Sequence, residues 1–252
     1  MRYTVWLMLI AYAAMAGDEA KPLVDAGSPL SVATDHIVGY WSFDGGSFRD
    51  KSGNGNDGTP AGGVTNVAGI GSGAMRFDGV DDKITINDDP SLTSTQISGS
   101  FWIKPKITGG PLNYGVIAKA TSATAGEYHV LLSVNTLYFR VVDNSTGGYR
   151  GRSIPYTDTS KWNHLTFSYD GSTSDTGIKV YLNGVEQSTS SSSYGSFTAI
   201  EDTSTDFTIS HRGASVPFNG AIDEVLIYNK ALSAAENRKL YLIGLARLRG
   251  NK

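Results

Sequence analysis

Residues 50–59 read Asp-Lys-Ser-Gly-Asn-Gly-Asn-Asp-Gly-Thr. Asp50, Ser52 and Asn54 fall at alternate positions, with Gly55 next. By this spacing a calcium loop aims several oxygens at one point while glycine takes the sharp turn. The twelfth position is Ala61, not a bidentate glutamate, so the loop is not an EF-hand. Calcium takes about six to eight oxygen ligands, so other segments must contribute. The competing reading has Asp44, Asp50 and Asn54 capping turns through side-chain-to-backbone hydrogen bonds.

Other chemistries find less support. The chain has no cysteine, which excludes disulfides, zinc–thiolate sites and thiol nucleophiles. His36, His129, His164 and His211 have no metal-ligand spacing, and His164 beside Trp162 reads as a packed strand residue. No G-x-S-x-G elbow and no phosphate loop occur. The acidic group Glu201, Asp202 and Asp206 lies in a Ser/Thr-rich stretch and reads as a solvated loop, while Glu127 stands alone at a strand start. Tyr114, Tyr149, Tyr156 and Tyr194 fall in Gly/Ser-rich segments, where an exposed ring stacks on the face of a sugar. With thirteen tyrosines in the chain, each of the four also has the ordinary reading of a packed residue.

The elements that must hold these residues are short strands. Residues 38–43, 74–77, 83–86, 98–106, 128–134, 137–142, 163–169, 178–182, 185–188, 207–210 and 221–228 alternate or run apolar between turn residues. Asp78-Gly79 predicts a hairpin between the second and third of these, and Asn183-Gly184 a type I′ hairpin. Residues 221–228 break strict alternation, which predicts a bulge or burial on both faces. Ser233-Ala234-Ala235-Glu236 is a capping-box pattern opening one short C-terminal helix. The pattern is all-β, an antiparallel two-sheet sandwich.

At 252 residues, 40% hydrophobic and 18% charged, the chain suits one β domain spanning residues 37–246. Net charge is −3 with scattered Lys and Arg, so no nucleic-acid footprint is expected. Residues 1–16 read as a secretory signal peptide: Arg2, an apolar run, then Ala14-Met15-Ala16 before Gly17. The run is too short for a comfortable membrane span. Residues 17–36 read as a flexible leader and 247–252 as a solvated basic tail.

Three ordered segments carry a family resemblance. They are Tyr40-Trp41-Ser42-Phe43-Asp44 with the 50–59 loop, Ala74-Met75-Arg76-Phe77-Asp78-Gly79, and Phe218-Asn219-Gly220-Ala221-Ile222-Asp223-Glu224-Val225 running on to Ser233. In these the chain resembles laminin-G-like jellyroll domains of the concanavalin-A-like lectin/glucanase superfamily. The resemblance implies a jellyroll whose first and last strands are neighbours. It also implies an exported or cell-surface protein that binds carbohydrate or glycoprotein, with an adhesive protein–protein role as the alternative. It brings Asp44 and Asp223 near the first loop, where Asp50, Asn56 and carbonyls around Gly53 complete a structural Ca2+ site. Glucanases of the superfamily carry paired carboxylates on one strand in a Glu-x-Asp-x-x-Glu or similar pattern. No such pattern occurs here, so a non-catalytic protein is expected and a glycan hydrolase ranks last.

Overall fold

The structure is a computed structural model in which residues 27–106, 113–213 and 216–250 are described. The expected signal peptide lies outside these residues, as does the first part of the leader.

The chain opens with β1 (Ile37–Trp41), β2 (Thr59–Ala61), β3 (Thr65–Val67), β4 (Ala74–Asp78), β5 (Lys83–Ile86) and β6 (Ile97–Pro105). It continues through β7 (Asn113–Ala120), β8 (Gly126–Ser133), β9 (Thr136–Asp143), β10 (Gly148–Pro155), β11 (Asn163–Tyr169) and β12 (Ile178–Leu182). It closes with β13 (Val185–Glu186), β14 (Ser190–Ser191), β15 (Phe207–Ile209), β16 (Val216–Pro217), β17 (Asn219–Tyr228) and the helix α1 (Ala234–Gly250). The first sheet runs β13-β12-β11-β6-β17-β4-β3, with β1 also on β17. The second runs β14-β10-β9-β8-β7-β15-β5-β2, with β16 on β7. Among the described residues all strand pairings are antiparallel except β16 with β7. This is the expected two-sheet jellyroll, and the first and last strands are neighbours.

Alternation along each strand decides which side chains fill the sandwich. Phe101, Ile103, Phe139, Val141, Leu165 and Phe167 point into one continuous apolar cluster between the sheets. On β17 the register shifts between Asp223 and Leu226, and Glu224 takes φ of +51°. Across that bulge Ile222 and Val225 both face the main core, while Leu226 and Tyr228 turn outward into a second cluster. Burial on both faces is why this strand did not alternate in sequence.

The second cluster lies under α1, where Leu232, Leu240 and Ile243 meet Ile37, Tyr40, Leu226 and Tyr228. The capping box forms: Ser233 N–H donates to Glu236 Oε2 at 2.7 Å and Glu236 N–H to Ser233 Oγ at 3.3 Å. The helix has 17 residues, longer than expected, and takes in most of the supposed basic tail. Part of the supposed leader is also docked. Val32 is buried, and Leu30 and Ala33 pack on the second cluster through two 3-10 turns at Pro29–Ser31 and Thr34–His36.

Two hairpin expectations part company. Asn183 and Gly184 take φ of +52° and +74° between β12 and β13, as a type I′ turn demands. The Asp78-Gly79 segment instead carries the chain between sheets: β4 pairs in the first sheet and β5 in the second. Among the described residues no helix is long and apolar enough to cross a membrane.

Candidate functional site

Of the residues expected to hold calcium, Asp44 and Asp223 converge on one loop, accepting from Ser72 N–H at 2.7 Å and Ile70 N–H at 2.6 Å. Asp50 already accepts four hydrogen bonds: from Tyr40 N–H and Ser52 N–H at 2.8 Å, Ser52 Oγ at 2.7 Å and Asn56 N–H at 3.0 Å. Asn56 is buried and spends its side-chain N–H groups on Val38 O and Ser91 Oγ. Gly53 is exposed in a turn with φ of +93°. Asp44 has a cation in place, with Arg247 Nη2 at 3.0 Å and Lys51 Nζ at 3.1 Å. Burial works to raise its pKa, but Ser72 N–H, Lys51 and Arg247 hold it well below the usual range. Asp223, fully buried, accepts from Ile70 N–H at 2.6 Å and Glu224 N–H at 2.8 Å. Asp50 and Asn56 are thus engaged with backbone and hydroxyl groups and Asp44 with cations, whereas Asp223 meets no cation: burial, then Glu224 and Asp44 nearby, push its pKa well up. Arg247, expected in a solvated tail, also reaches Glu224 at 2.6 Å.

Among the described residues, the sets of three acidic groups whose oxygens all lie within 4.8 Å of one another are Asp78, Asp81 and Asp82, and Asp88, Glu127 and Asp202. In the second set two carboxylates already hold the ammonium of Lys119, at 2.5 Å from Asp88 and 2.7 Å from Glu127. Carbonyls of Thr205 at 2.9 Å and Thr203 at 3.3 Å share its third proton. Lys119 and Glu127 are fully buried. Sequence reading missed this cluster, because its members come from four separate segments and Glu127 looked isolated.

Of the four candidate tyrosines, Tyr114 and Tyr156 must be corrected. They are only 6% and 2% exposed and belong to the main core. Tyr114 stands on β7 with its ring inward, and Tyr156 just after β10 meets Asn163 Nδ2 at 3.3 Å. Neighbouring glycine and serine marked turns near them without exposing the rings.

Tyr149 and Tyr194 are brought together. Leu137, Phe139 and Val141 of β9 face the core, so Tyr138, Arg140 and Val142 face outward. Register places Tyr149, Gly151 and Ser153 of β10 opposite Val142, Arg140 and Tyr138. Tyr194 then adds beside β10, its N–H to Tyr149 O at 3.0 Å and the reciprocal bond at 2.9 Å. The two rings stack with centroids 5.9 Å apart at 30°. Tyr194 is 63% exposed.

Arg140 completes the surface, a residue that sequence reading did not single out. Its guanidinium lies 4.5 Å from the Tyr149 ring centroid and 5.1 Å from that of Tyr138. Its Nε and Nη2 donate to Ser192 Oγ at 3.2 and 3.0 Å. Gly151 permits this: a Cβ there would come within 2.7 Å of Arg140 Cγ. Opposite Arg140 on β8 is the fully buried His129, with Arg212 Nη1 at 3.4 Å from its Nε2. Burial, then Arg212 and Arg140, push the His129 pKa well down, so the ring is neutral at physiological pH. The face thus combines stacked aromatic rings, a cation and hydroxyls: recognition chemistry, with no general acid–base pair.

Asp143 anchors the loops beside it. Its buried carboxylate accepts from Thr198 N–H and Oγ1 at 2.7 Å, Thr146 N–H at 2.9 Å and Ser145 Oγ at 3.0 Å. Burial alone would raise its pKa, but these donors outweigh it and hold the group below the ordinary range. A carboxyl depressed below its unfolded value of about 4 contributes stability above that pH and loses it as pH falls. Asp143→Asn should cost about 1–3 kcal/mol near pH 7, because its amide faces donors. In urea melts the gap to the parent protein should narrow from about pH 5 downward; a gap independent of pH would refute the assignment.

Comparisons with known proteins agree with this architecture. No curated protein matches the chain. Domain 4 of AbnA, a GH43 extracellular arabinanase from Geobacillus stearothermophilus solved with arabinotriose, has a TM-score of 0.62 at 24% identity, covering 82% of this chain and 98% of that one. The binding domain of botulinum neurotoxin serotype G has a TM-score of 0.67 at 19% identity, covering 82% of this chain. That of botulinum neurotoxin DC, in complex with SialylT, has a TM-score of 0.65 at 16% identity, covering 83%. This chain spans about half the length of the toxin domains, 51% and 52%. At these identities the likeness is one of fold. Residues 78–236 match the Laminin_G_3 family, and the chain belongs to the concanavalin A-like lectin/glucanases superfamily.

Proposed function

We propose that the protein is an exported, non-catalytic carbohydrate-binding module that holds its glycan on the face formed by Tyr149, Tyr194 and Arg140. The observation that carries this reading is the stacked, solvent-reaching tyrosine pair braced by a guanidinium. Sugar C–H faces stack on such rings, while Arg140 and the neighbouring serines bond ring hydroxyls. The structural neighbours support the ligand class: one is an arabinanase domain with arabinotriose, another a toxin binding domain with SialylT. Export rests on residues 1–16, and secreted material should begin at Gly17.

A glycan array followed by titration calorimetry tests the binding. Tyr194→Ala and Arg140→Ala should each weaken the best glycan roughly tenfold, about 1.4 kcal/mol, with the melting temperature unchanged for the exposed Tyr194. Full affinity in both variants would sink the site. An array without any hit would favour the adhesive, protein-binding reading.

A further inference from the structure

The opposite side of the sandwich carries a second surface with different chemistry. On the outer face of the first sheet, α1 covers the strip around Trp102, whose ring stacks on Tyr241 at 5.8 Å. Beyond the helix the sheet is open. There Arg76 of β4, Ala221 of β17 and Lys104 of β6 stand directly opposite one another on three adjacent strands. Met75, Phe77, Ile103 and Ile222 point into the core, so these three point outward. Lys106 follows Lys104 at the next outward position. Arg76 and Lys104 stand two strand spacings apart, about 10 Å, with only the small Ala221 between them.

This strip is the floor of a cavity of about 470 Å³ bordered by Arg76, Lys104, Lys106 and Trp162. A second cavity of about 440 Å³ shares Lys104 and Trp162 and runs on beside α1 past Lys161. Lys161 is paired with Asp158 at 2.8 Å, whereas Arg76, Lys104 and Lys106 are exposed and none of the ion pairs among the described residues uses them. Three like charges gathered along one groove repel one another, and an anion lying in it removes that repulsion. A half-buried tryptophan at the junction of the cavities adds a ring on which a sugar stacks.

We propose that this groove is a second, separate binding site and that its ligand is an acidic polysaccharide, with carboxylate or sulfate groups on Arg76, Lys104 and Lys106 and a pyranose ring on Trp162. The site shares only its ligand class with the proposed function, since it lies on the other sheet and uses none of the same residues. The protein then presents two glycan sites on opposite faces.

The test measures binding of the whole protein to polygalacturonate, alginate, chondroitin sulfate and heparin by affinity electrophoresis and calorimetry. The parent chain should bind at least one of them, more weakly as salt rises. Lys104→Ala/Lys106→Ala should weaken that binding at least tenfold, and adding Arg76→Ala should abolish it. Trp162→Ala should also weaken it, while Tyr194→Ala leaves it intact. Melting temperatures of the exposed-residue variants should match the parent. Retention of affinity in the triple variant, or no binding to any of the four polymers, would overturn the proposal. Equal competition by duplex DNA would overturn it as well, since adsorption of any polyanion needs no sugar ring. Failure of the Tyr194 site leaves these outcomes unaffected.

Discussion

Replacing Lys119 with methionine should destabilise the fold by about 3–5 kcal/mol, because removing one partner of a buried ion pair leaves the other charge uncompensated. Glu127 is the stranded group. It is fully buried, and burial already pushes its pKa upward against the lowering effects of Lys119, Thr93 and Thr203. Its remaining bonds, from Thr93 Oγ1 at 2.6 Å and from Thr203 Oγ1 and N–H at 3.0 and 3.1 Å, come from neutral donors and leave the charge of a dry carboxylate unbalanced. The expected loss corresponds to a drop of roughly 6–20 °C in melting temperature for a domain of this size. Adding Glu127→Gln to Lys119→Met should recover part of it, since the unpaired charge is then gone. Urea unfolding of the single and double variants checks this. A single variant within 1 kcal/mol of the parent would refute the role given to the ammonium.

Trp41→Ala should cost a similar amount, about 3–5 kcal/mol, through the cavity left in a close-packed interior. Trp41 is fully buried on β1, and its ring stacks on Phe207 of β15 with centroids 5.4 Å apart at 22°. Tyr128 of β8 follows at 6.1 Å from Phe207, so one aromatic line joins the two sheets. The indole N–H donates to Asn56 O at 2.8 Å and thereby fixes the 50–59 loop. Gly39 makes the ring's position possible, since a Cβ there would fall 2.4 Å from Trp41 Cη2. Trp41→Phe should cost less than Trp41→Ala, because it keeps most of the apolar volume and loses the hydrogen bond. Equal losses in denaturant melts would show that the hydrogen bond, not the packing, dominates.

The two substitutions mark different degrees of legibility. Trp41 sits in an alternating apolar strand, where period two and hydrophobicity already announce an inward ring. Lys119 sits in a segment whose charge announces solvent, and only the convergence of residues 88, 127, 203 and 205 buries it. The tyrosines divide in the same way. A ring beside glycine and serine is exposed at position 194 and buried at 114 and 156, because exposure depends on strand register and on which layer covers the segment.

The calcium expectation shows the same boundary from the other side. Alternating Asp50, Ser52 and Asn54 is compatible with ligands and with turn caps alike, since both uses require short oxygen-bearing side chains near bending backbone. In the fold, Asp50 meets N–H and O–H donors, and Asp44 meets Arg247 from a helix some two hundred residues away. Long-range partners decide such a site.

By itself the sequence determined the all-β class, most strand positions, the Asn183-Gly184 turn, the capped helix and the family. These follow from local periodicity, turn chemistry and capping, which act within a few residues. Only the tertiary structure decided that Asp78-Gly79 links the two sheets, that Arg247 closes an ion-pair network, and that Lys119 is a buried cation. It alone also revealed that Arg140 joins Tyr149 and Tyr194, while Arg76 and Lys104 share a groove. Strand order and register bring together residues that are distant in the chain, and no short-range pattern encodes which of them will meet.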